Sequence, residues 1–251
     1  MQGNIKRLRV IAGPNGSGKS SVVFHILENY FCGHFINADE LNKQLTDFHV
    51  IDLSTSFGIN TTKDTFDSYL KGQGESWLEK AQRENVAINV SFKDNTLTVA
   101  EAPGAYDAAI VADFIRYQLL KNNNTFTFET VLSDARKINF LREAADAGFK
   151  IYLYFVCTVH SNINKLRVSI RVAKGGHFVP DDKIETRYYN SLKLLPELIP
   201  LTYRCFLFDN SEEGSENKLN LVASINSGNT LEIHSANMPW WVEEYVLEKL
   251  F

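Results

Sequence analysis

Eight consecutive residues carry the strongest chemical signal in this chain of 251 residues. They run from Gly13 to Ser20 and read GPNGSGKS, a complete G-x-x-x-x-G-K-[ST] phosphate-binding loop. Such glycines let backbone N–H groups turn toward phosphate oxygens, the lysine reaches the β- and γ-phosphates, and the serine hydroxyl binds Mg²⁺. The motif predicts a site for ATP and Mg²⁺, to which we assign Gly13, Asn15, Gly16, Ser17, Gly18, Lys19, Ser20 and Ser21.

The residues on either side of the loop support this interpretation. Ile5 to Ala12 is an apolar-rich run typical of a short buried strand, and residues 21–27 repeat apolar side chains at helical spacing. A strand entering the loop and a helix leaving it is the context in which this motif binds phosphate. The alternative is a chance glycine turn, which this context disfavours.

Two carboxylates follow the second predicted strand, Gly33 to Ala38. Ligands gather at the carboxyl ends of the strands in an open parallel sheet, so Asp39 is placed to accept the proton of an attacking hydroxyl or to hold Mg²⁺ through water. Glu40 is predicted to bind substrate at the same edge. The alternative for Asp39 is a capping role, because Asp is a favoured residue at a helix N-cap.

A second acidic position ends a later strand, predicted from the alternating residues Thr125 to Thr130. Glu129 and Thr130 are therefore candidates for substrate binding, and Glu129 is also a candidate ligand for Mg²⁺. The alternative interpretation of Glu129 is a solvated carboxylate at the end of a strand, since nothing local pairs it with a base.

Three arginines lie on two predicted helices joined by a glycine-bearing loop. Arg167 and Arg171 are four residues apart on the first helix, and Arg187 lies on the second. The loop between them, residues 174–180, contains Gly175-Gly176 and His177, and His177 is a candidate substrate ligand. Arginines on both arms of a hinge are typical of a lid that closes positive charge over a moving phosphoryl group. The alternative is a set of solvated arginines.

The remaining pattern predicts an α/β fold of three layers, the P-loop NTPase fold, with a mainly parallel five-stranded sheet. The almost continuously apolar run 151–157 is its central strand, as expected for a strand covered on both faces. We predict one kinase domain over residues 1–251, with an inserted α+β segment at about 46–105, a lid at about 161–195, and a C-terminal hairpin and helix at 218–251.

Composition limits the classes of partner. Hydrophobic residues make up 44% and charged residues 22% of the chain, which is ordinary for a soluble globular protein. The net charge of -4 gives no electrostatic case for nucleic acid, and no run approaches the roughly 20 apolar residues of a membrane span. The 3 cysteines are far apart and odd in number, which argues against a disulfide framework. We expect a cytoplasmic protein with no membrane or nucleic acid partner.

Four blocks together carry a resemblance to a known family. They are the loop Gly13–Ser20, Phe35 to Glu40, Phe128 to Ser133, and the stretch from Arg167 through Gly175-Gly176-His177 to Tyr188. In this order they resemble the zeta-toxin family of P-loop kinases, in particular its chromosomal zeta-like branch. The resemblance covers residues 5–37 and 125–211, and most of residues 42–124 has no counterpart in it.

The resemblance implies an ATP- and Mg²⁺-dependent kinase that phosphorylates a hydroxyl of a small molecule, with UDP-N-acetylglucosamine as the best-known substrate class. It places Asp39 on the catalytic base and Lys19 on the phosphate-loop lysine of the family. It places Arg171, with either Lys183 or Arg187, on the lid charges. It also implies a protein antitoxin as a possible partner.

Two other functions remain as alternatives. One is a mechanical ATPase of the ABC or SMC type, which is disfavoured because no Leu-Ser-Gly-Gly signature occurs in the sequence. The other is a nucleotide-binding regulatory module that has lost turnover. Intact Lys19, Ser20 and Asp39 argue against that loss.

Overall fold

A computed structural model describes residues 5–104, 106–212 and 219–251. Two compact units make up the chain: the first contains residues up to Cys32 and residues from Thr127 onward, and the second is Gly33–Phe126. Ala105, at the end of the predicted insertion, and Lys218, at the start of the predicted C-terminal segment, lie outside the described residues.

The helices and strands are numbered along the chain. The elements up to residue 130 are β1 (Arg7–Ala12), α1 (Lys19–Asn29), β2 (His34–Ile36), α2 (Ala38–Phe48), β3 (Val50–Asp52), α3 (Leu53–Phe57), α4 (Lys63–Lys71), α5 (Glu75–Arg83), β4 (Val90–Lys93), β5 (Thr96–Val99), α6 (Asp107–Lys121) and β6 (Phe126–Thr130). The later elements are α7 (Arg136–Asp146), β7 (Lys150–Cys157), α8 (Ser161–Ala173), α9 (Asp181–Lys193), α10 (Leu195–Leu198), a 3₁₀ turn (Ile199–Leu201), β8 (Arg204–Asp209), β9 (Asn220–Asn226), β10 (Thr230–Ile233), α11 (Trp240–Val242), a π-helical turn (Glu243–Leu247) and α12 (Glu248–Leu250).

The first unit is built on a sheet with the strand order β10-β9-β8-β7-β1-β6. Strand β7 runs parallel to β1 on one side and to β8 on the other, whereas β9 is antiparallel to β8 and β10 is antiparallel to β9. The predicted count of five strands is therefore too low, since these described strands already number six. The predicted five strands did not include those of the C-terminal hairpin, but β9 pairs with β8 and so the hairpin continues the sheet.

Strand β7 lies in the middle of this unit, as its apolar sequence predicts. Ile151, Leu153 and Phe155 are fully buried on it. The C-terminal helical segment covers the face that carries Phe155, because the ring of Trp241 packs 5.8 Å from the ring of Phe155. This buried sheet fixes the strand end from which the glycine loop leaves.

The second unit contains a three-stranded antiparallel sheet, in the order β3-β5-β4, together with helices α2 to α6. The hairpin predicted in this region is present: β4 pairs with β5 across Asp94 and Asn95, which both have positive φ, as a type I′ turn requires. The unit is wider than the predicted insertion at about 46–105, since it extends from Gly33 to Phe126.

Within the part of the chain that the structure describes, no helix combines the length and the apolar character needed to cross a membrane.

Candidate active site

The glycine loop connects β1 directly to α1, as the motif predicts. Its first residue is anchored to the end of β6, because the Gly13 amide donates a 3.3 Å hydrogen bond to the Thr130 carbonyl. Gly13, Gly16 and Gly18 have φ values of 145°, 75° and 93°. Only glycine adopts these conformations without strain, and they let the backbone fold back on itself ahead of the helix.

The loop is also packed too closely for larger residues. A Cβ atom on Gly16 would lie 2.5 Å from the Asn164 carbonyl oxygen, and one on Gly18 would lie 2.0 Å from Asn210 Nδ2. A Cβ atom on Gly13 would lie 2.0 Å from the Val156 carbonyl oxygen. The glycines of the motif are therefore needed for contact with the surrounding chain as well as for backbone conformation.

Two buried asparagines hold the loop from outside the motif. Asn164 Nδ2, near the start of α8, donates to the Asn15 carbonyl at 2.6 Å, and Asn210 Nδ2, after β8, donates to the Ser17 carbonyl at 2.8 Å. Asn164 Oδ1 in turn accepts a hydrogen bond from the Thr158 hydroxyl. Because these bonds use side-chain donors, they satisfy two loop carbonyls without drawing on the N–H groups of the loop.

Lys19 lies at the start of α1 with its ammonium group turned back over the loop. Its Nζ atom donates to the carbonyls of Gly13 and Pro14 at 3.0 and 3.1 Å. It also lies 3.7 Å from Glu129 Oε1, the candidate carboxylate at the end of β6. The structure thus brings together the phosphate-loop lysine and Glu129, and this pairing answers the concern that Glu129 has no local partner.

Two features at the start of α1 fit a phosphate group and its metal ion. Gly18, the N-cap residue, makes no side-chain capping bond, so the N–H groups of the first turn present the positive end of an 11-residue helix. The buried Ser17 hydroxyl has no hydrogen-bond partner. Ser20 is exposed one residue into the helix and Ser21 is half-buried beside it. An anion in the loop would satisfy these donors.

Mg²⁺ needs few protein ligands in such a site, because phosphate and water oxygens fill most of its coordination. The described residues contain no group of three or more His, Cys, Asp or Glu side chains arranged to hold a metal ion. Of the candidate ligands, Ser20 lies in the first turn of α1, and Glu129 lies 3.7 Å from Lys19 Nζ at the end of β6.

The two lid helices pack against each other around Val168, Val179 and Ile184. An ion pair between Lys165 and Glu185 joins them at 2.5 Å. Between the helices, Gly175 has a φ of 86° and no neighbouring atom within 4 Å of an added Cβ. The helix–glycine loop–helix arrangement predicted from sequence is present.

The three lid arginines differ in their contacts. Arg187 Nη1 donates to Asn15 Oδ1 in the loop at 3.3 Å. Arg167 Nη1 donates to the Asn210 carbonyl at 2.8 Å, beside the asparagine that holds Ser17. Arg171 Nη2 donates to the carbonyl of the exposed residue His177, at 2.9 Å, and so contacts the connection between the two helices. Arg187 and Arg167 thus reach the loop region in this conformation.

In the second unit, α2 follows β2 as predicted, but Asp39 does not cap it. The N-cap is Asn37, whose Oδ1 accepts from the amides of Asp39 and Glu40 at 2.8 and 3.3 Å. The alternative interpretation of Asp39 as the capping residue is therefore wrong. Both carboxylates lie in the first turn of α2, at the positive end of the helix dipole.

Several residues that shape the loop have only weak signals in the sequence. Asn164 belongs to no motif, and Asn210 is ambiguous because Asp-Asn-Ser after a strand normally marks a turn. Tyr188 belongs to the same network: its hydroxyl donates to the Thr158 carbonyl at 2.5 Å, and burial raises its pKa so that the donor proton is retained. The sequence carries no local signal for Asn164, because its burial is evident only in the folded chain.

Comparison with known proteins identifies chains that are similar to this one in sequence or in structure. An uncharacterized protein from Haemophilus influenzae is 32% identical over 120 residues, which are 47% of this chain and 86% of the relative. The AvrRxo1-ORF1:-ORF2 complex, solved with ATP, contains a chain that is 15% identical with a TM-score of 0.53. That match covers 93% of this chain but only 62% of the larger protein. No family model matches the sequence.

A further structure, from the PezAT chromosomal toxin-antitoxin system of Streptococcus pneumoniae, is 12% identical. The match covers 87% of this chain and 70% of that one. Its TM-score of 0.47 is too low to bear on the fold.

The strand–loop–helix unit and the mostly parallel sheet define a P-loop protein with a kinase-like fold. The expected resemblance to zeta-toxin-like kinases is confirmed at the level of the fold. The chain belongs to the same family as the Haemophilus influenzae protein.

Proposed function

We propose that this protein is an ATP-dependent kinase that transfers the γ-phosphate of ATP to a hydroxyl group of a small molecule. One observation carries the proposal: Lys19 is folded over a glycine loop that Asn164 and Asn210 hold open, with Glu129 3.7 Å from the lysine ammonium. The AvrRxo1-ORF1:-ORF2 complex, which contains a chain of similar fold, was solved with ATP, and this supports the choice of nucleotide.

The residues at the loop and around it have different tasks in the proposed phosphoryl transfer. The Lys19 ammonium exchanges its contacts with the Gly13 and Pro14 carbonyls for phosphate oxygens, and the first-turn N–H groups of α1 bind the anion. The Ser20 hydroxyl and the Glu129 carboxylate would hold Mg²⁺, which would neutralise charge on the β- and γ-phosphates. Arg187 supplies further positive charge as the transferred group loosens from its leaving oxygen.

The acceptor side of the reaction is assigned by resemblance. Asp39 takes the proton of the acceptor hydroxyl while that oxygen bonds to the γ-phosphorus and the bond to the leaving ADP breaks. Glu40, Thr130 and His177 contact the acceptor. A UDP-N-acetylsugar is the acceptor class that the zeta-toxin resemblance implies.

A partner protein forms part of the same proposal. The AvrRxo1 neighbour was solved as a complex of two proteins, and the zeta-toxin resemblance implies a protein antitoxin. A second protein that inhibits phosphate transfer by this chain is the expected partner.

The test is incubation of the protein with γ-labelled ATP and a panel of UDP-N-acetylsugars, nucleosides and small polyols. Transfer of label to one class of acceptor, above the rate of ATP hydrolysis by water, is the expected result. A Lys19→Ala variant serves as the matched control, and it should show neither transfer of label to an acceptor nor hydrolysis of ATP. Label released only as inorganic phosphate would support the ATPase alternative, and ATP binding without any turnover would support the regulatory module.

A further inference from the structure

A second cavity in the first unit has no part in the proposed reaction. Its volume is about 880 Å³, and it lies on the face of the sheet beside α1, over β1, β7, β8 and β9. Of the residues assigned to the ATP site, Ser21 lines it at the edge nearest the loop's helix, whereas the residues from Gly13 to Ser20 do not. The cavity therefore has walls of its own, made chiefly of aromatic and cationic side chains.

The cationic groups follow the register of the parallel strands. Tyr152 in β7 is paired on one side with Arg9 in β1 and on the other with Arg204 in β8. The Arg9 guanidinium lies 5.3 Å from the centre of the Tyr152 ring, and the Arg204 guanidinium lies 4.9 Å from that of the Phe206 ring. The guanidinium groups of Arg9 and Arg204 thus lie over aromatic rings on one wall of the cavity.

These arginines retain hydrogen-bonding capacity that the chain does not use. Arg9 is only 5% exposed, and its Nη1 atom donates to the Phe31 carbonyl at 2.8 Å, but its Nε atom has no partner. The Nε atom of Arg204 is also buried without a partner. A buried N–H left without an acceptor is destabilising, and more so when the group is charged.

The described lining of the cavity contains cationic but no acidic side chains. Arg9 and Arg204 both line it, and the described residues that line it include no Asp or Glu. Tyr154, which is paired with Phe206 across β7 and β8, also lines the cavity, but it does not supply a negative charge. Burial raises its pKa to about 12, although the nearby Arg9 guanidinium opposes this rise.

We propose that this cavity is a binding site for a small organic anion with an aromatic or otherwise apolar body. A carboxylate, sulfonate or phosphate group would accept hydrogen bonds from the Arg204 guanidinium and pair with the positive charge of Arg9 beside it, and the apolar body would stack on Tyr152, Tyr154 and Phe206. A volume of about 880 Å³ lies within the range of small-molecule sites, about 300–1,000 Å³.

A pair of fluorescent probes tests the charge requirement. The anionic dye 1-anilinonaphthalene-8-sulfonate and the uncharged dye N-phenyl-1-naphthylamine have similar aromatic bodies, and both are titrated against the folded protein. The anionic dye should bind with a 1:1 stoichiometry and more tightly than the neutral one. Arg204→Gln is the main variant, because Arg9 is buried and its substitution threatens the fold. It should weaken binding of the anionic dye about tenfold, the loss expected for one charge-assisted hydrogen bond, and leave the neutral dye unaffected.

Three controls define the site. Arg204→Lys should retain part of the affinity, since it keeps the positive charge, and Arg142→Gln, on an exposed arginine of α7, should retain all of it. Lys19→Ala should bind the anionic dye normally, and Mg-ATP should not displace it. Melting temperatures of all variants confirm that they are folded. The proposal is overturned if the anionic dye does not bind, if Arg204→Gln binds it like the wild type, if both dyes respond alike, or if Mg-ATP displaces it.

Discussion

Arg187 Nη1 donates a 3.3 Å hydrogen bond to Asn15 Oδ1, so the second lid helix contacts the phosphate loop directly across 172 positions of sequence. The zeta-toxin resemblance left either Lys183 or Arg187 as the lid cation on α9. Lys183 is exposed, whereas Arg187 is half-buried and touches the loop. Arg187 is therefore the better candidate to meet the charge that moves in the transition state.

We expect Arg187→Gln to lower the rate of phosphate transfer by about 10²-fold or more, because a positive charge aimed at the transition state is removed. Affinity for ATP should fall much less, since the contact strengthens only as charge develops. Lys183→Gln, on the same helix, is the matched control and should retain nearly full activity. Rates from a coupled ADP assay and affinities from calorimetry provide the comparison; similar losses in both variants would remove this role from Arg187.

Lys19 is the residue on which nucleotide binding most depends. Lys19→Ala removes the ammonium group that now contacts the Gly13 and Pro14 carbonyls, and we expect weak ATP binding and almost no turnover. Calorimetry with Mg-ATP and the labelled-transfer assay measure the two effects. Lys6→Ala, at an exposed lysine before β1, is the control. Unchanged affinity and rate in Lys19→Ala would contradict the nucleotide site itself.

Asn164 supports the loop without belonging to the motif. Asn164→Ala removes the donor to the Asn15 carbonyl and one of the two acceptors of the Thr158 hydroxyl, in buried and part-buried surroundings. We expect a loss of about 1–3 kcal/mol in the free energy of unfolding, together with weaker ATP binding. Asn162→Ala, an exposed asparagine on the same helix, should change neither. Urea denaturation measures the free energy of unfolding, and calorimetry measures the affinity for ATP. An Asn164→Ala protein as stable as the Asn162→Ala control would show that the hydrogen bonds of Asn164 contribute nothing.

The loop shows which parts of this protein are predictable from sequence. The motif from Gly13 to Ser20 predicts the strand, the turn and the helix, because glycine, lysine and serine are required there by local backbone geometry and phosphate chemistry. The hydrogen bonds by which Asn164 and Asn210 hold the loop were not predicted. Their partners lie 149 and 193 residues away, and no local pattern specifies which carbonyl a buried amide will meet.

The same distinction explains the errors elsewhere. The alternating pattern of the C-terminal hairpin predicts two strands, but pairing with β8 depends on which sheet edge is free, so the strand count was too low. Asp39 was a reasonable N-cap by residue preference, yet Asn37 has the same preference and lies two residues earlier. Residue type alone does not decide between them, whereas the observed bonds to Asn37 Oδ1 do.

The lid is expected to respond to nucleotide. Gly175 has open space around it and a φ that favours glycine, so the connection between α8 and α9 can change conformation at small cost. Hydrogen exchange over residues 165–189 should slow with Mg²⁺ and a non-hydrolysable ATP analogue. Arg171→Ala should reduce the rate more than the affinity if closure moves Arg171 from the His177 carbonyl toward the nucleotide. Exchange that is indifferent to nucleotide, with normal turnover in Arg171→Ala, would leave Arg171 as a surface residue.

Asp39 is the proposed base, and its position makes the test clean. Since Asn37 caps α2, replacing the Asp39 side chain leaves both capping bonds in place, because Asn37 Oδ1 accepts from backbone amides. Asp39→Asn should therefore fold normally and bind Mg-ATP with nearly wild-type affinity. Transfer to the acceptor should fall by about 10²- to 10⁴-fold, the usual contribution of a general base.

The matched control for this substitution is Asp47→Asn, at an exposed position near the end of the same helix. It makes the same change of charge on α2 and should transfer phosphate at the wild-type rate. Labelled-transfer rates at saturating acceptor, with circular dichroism to confirm the fold, make the comparison. If Asp39→Asn and Asp47→Asn are equally active, the proton is taken by another group or by water, and the loss of a carboxylate at the start of α2 is without chemical consequence.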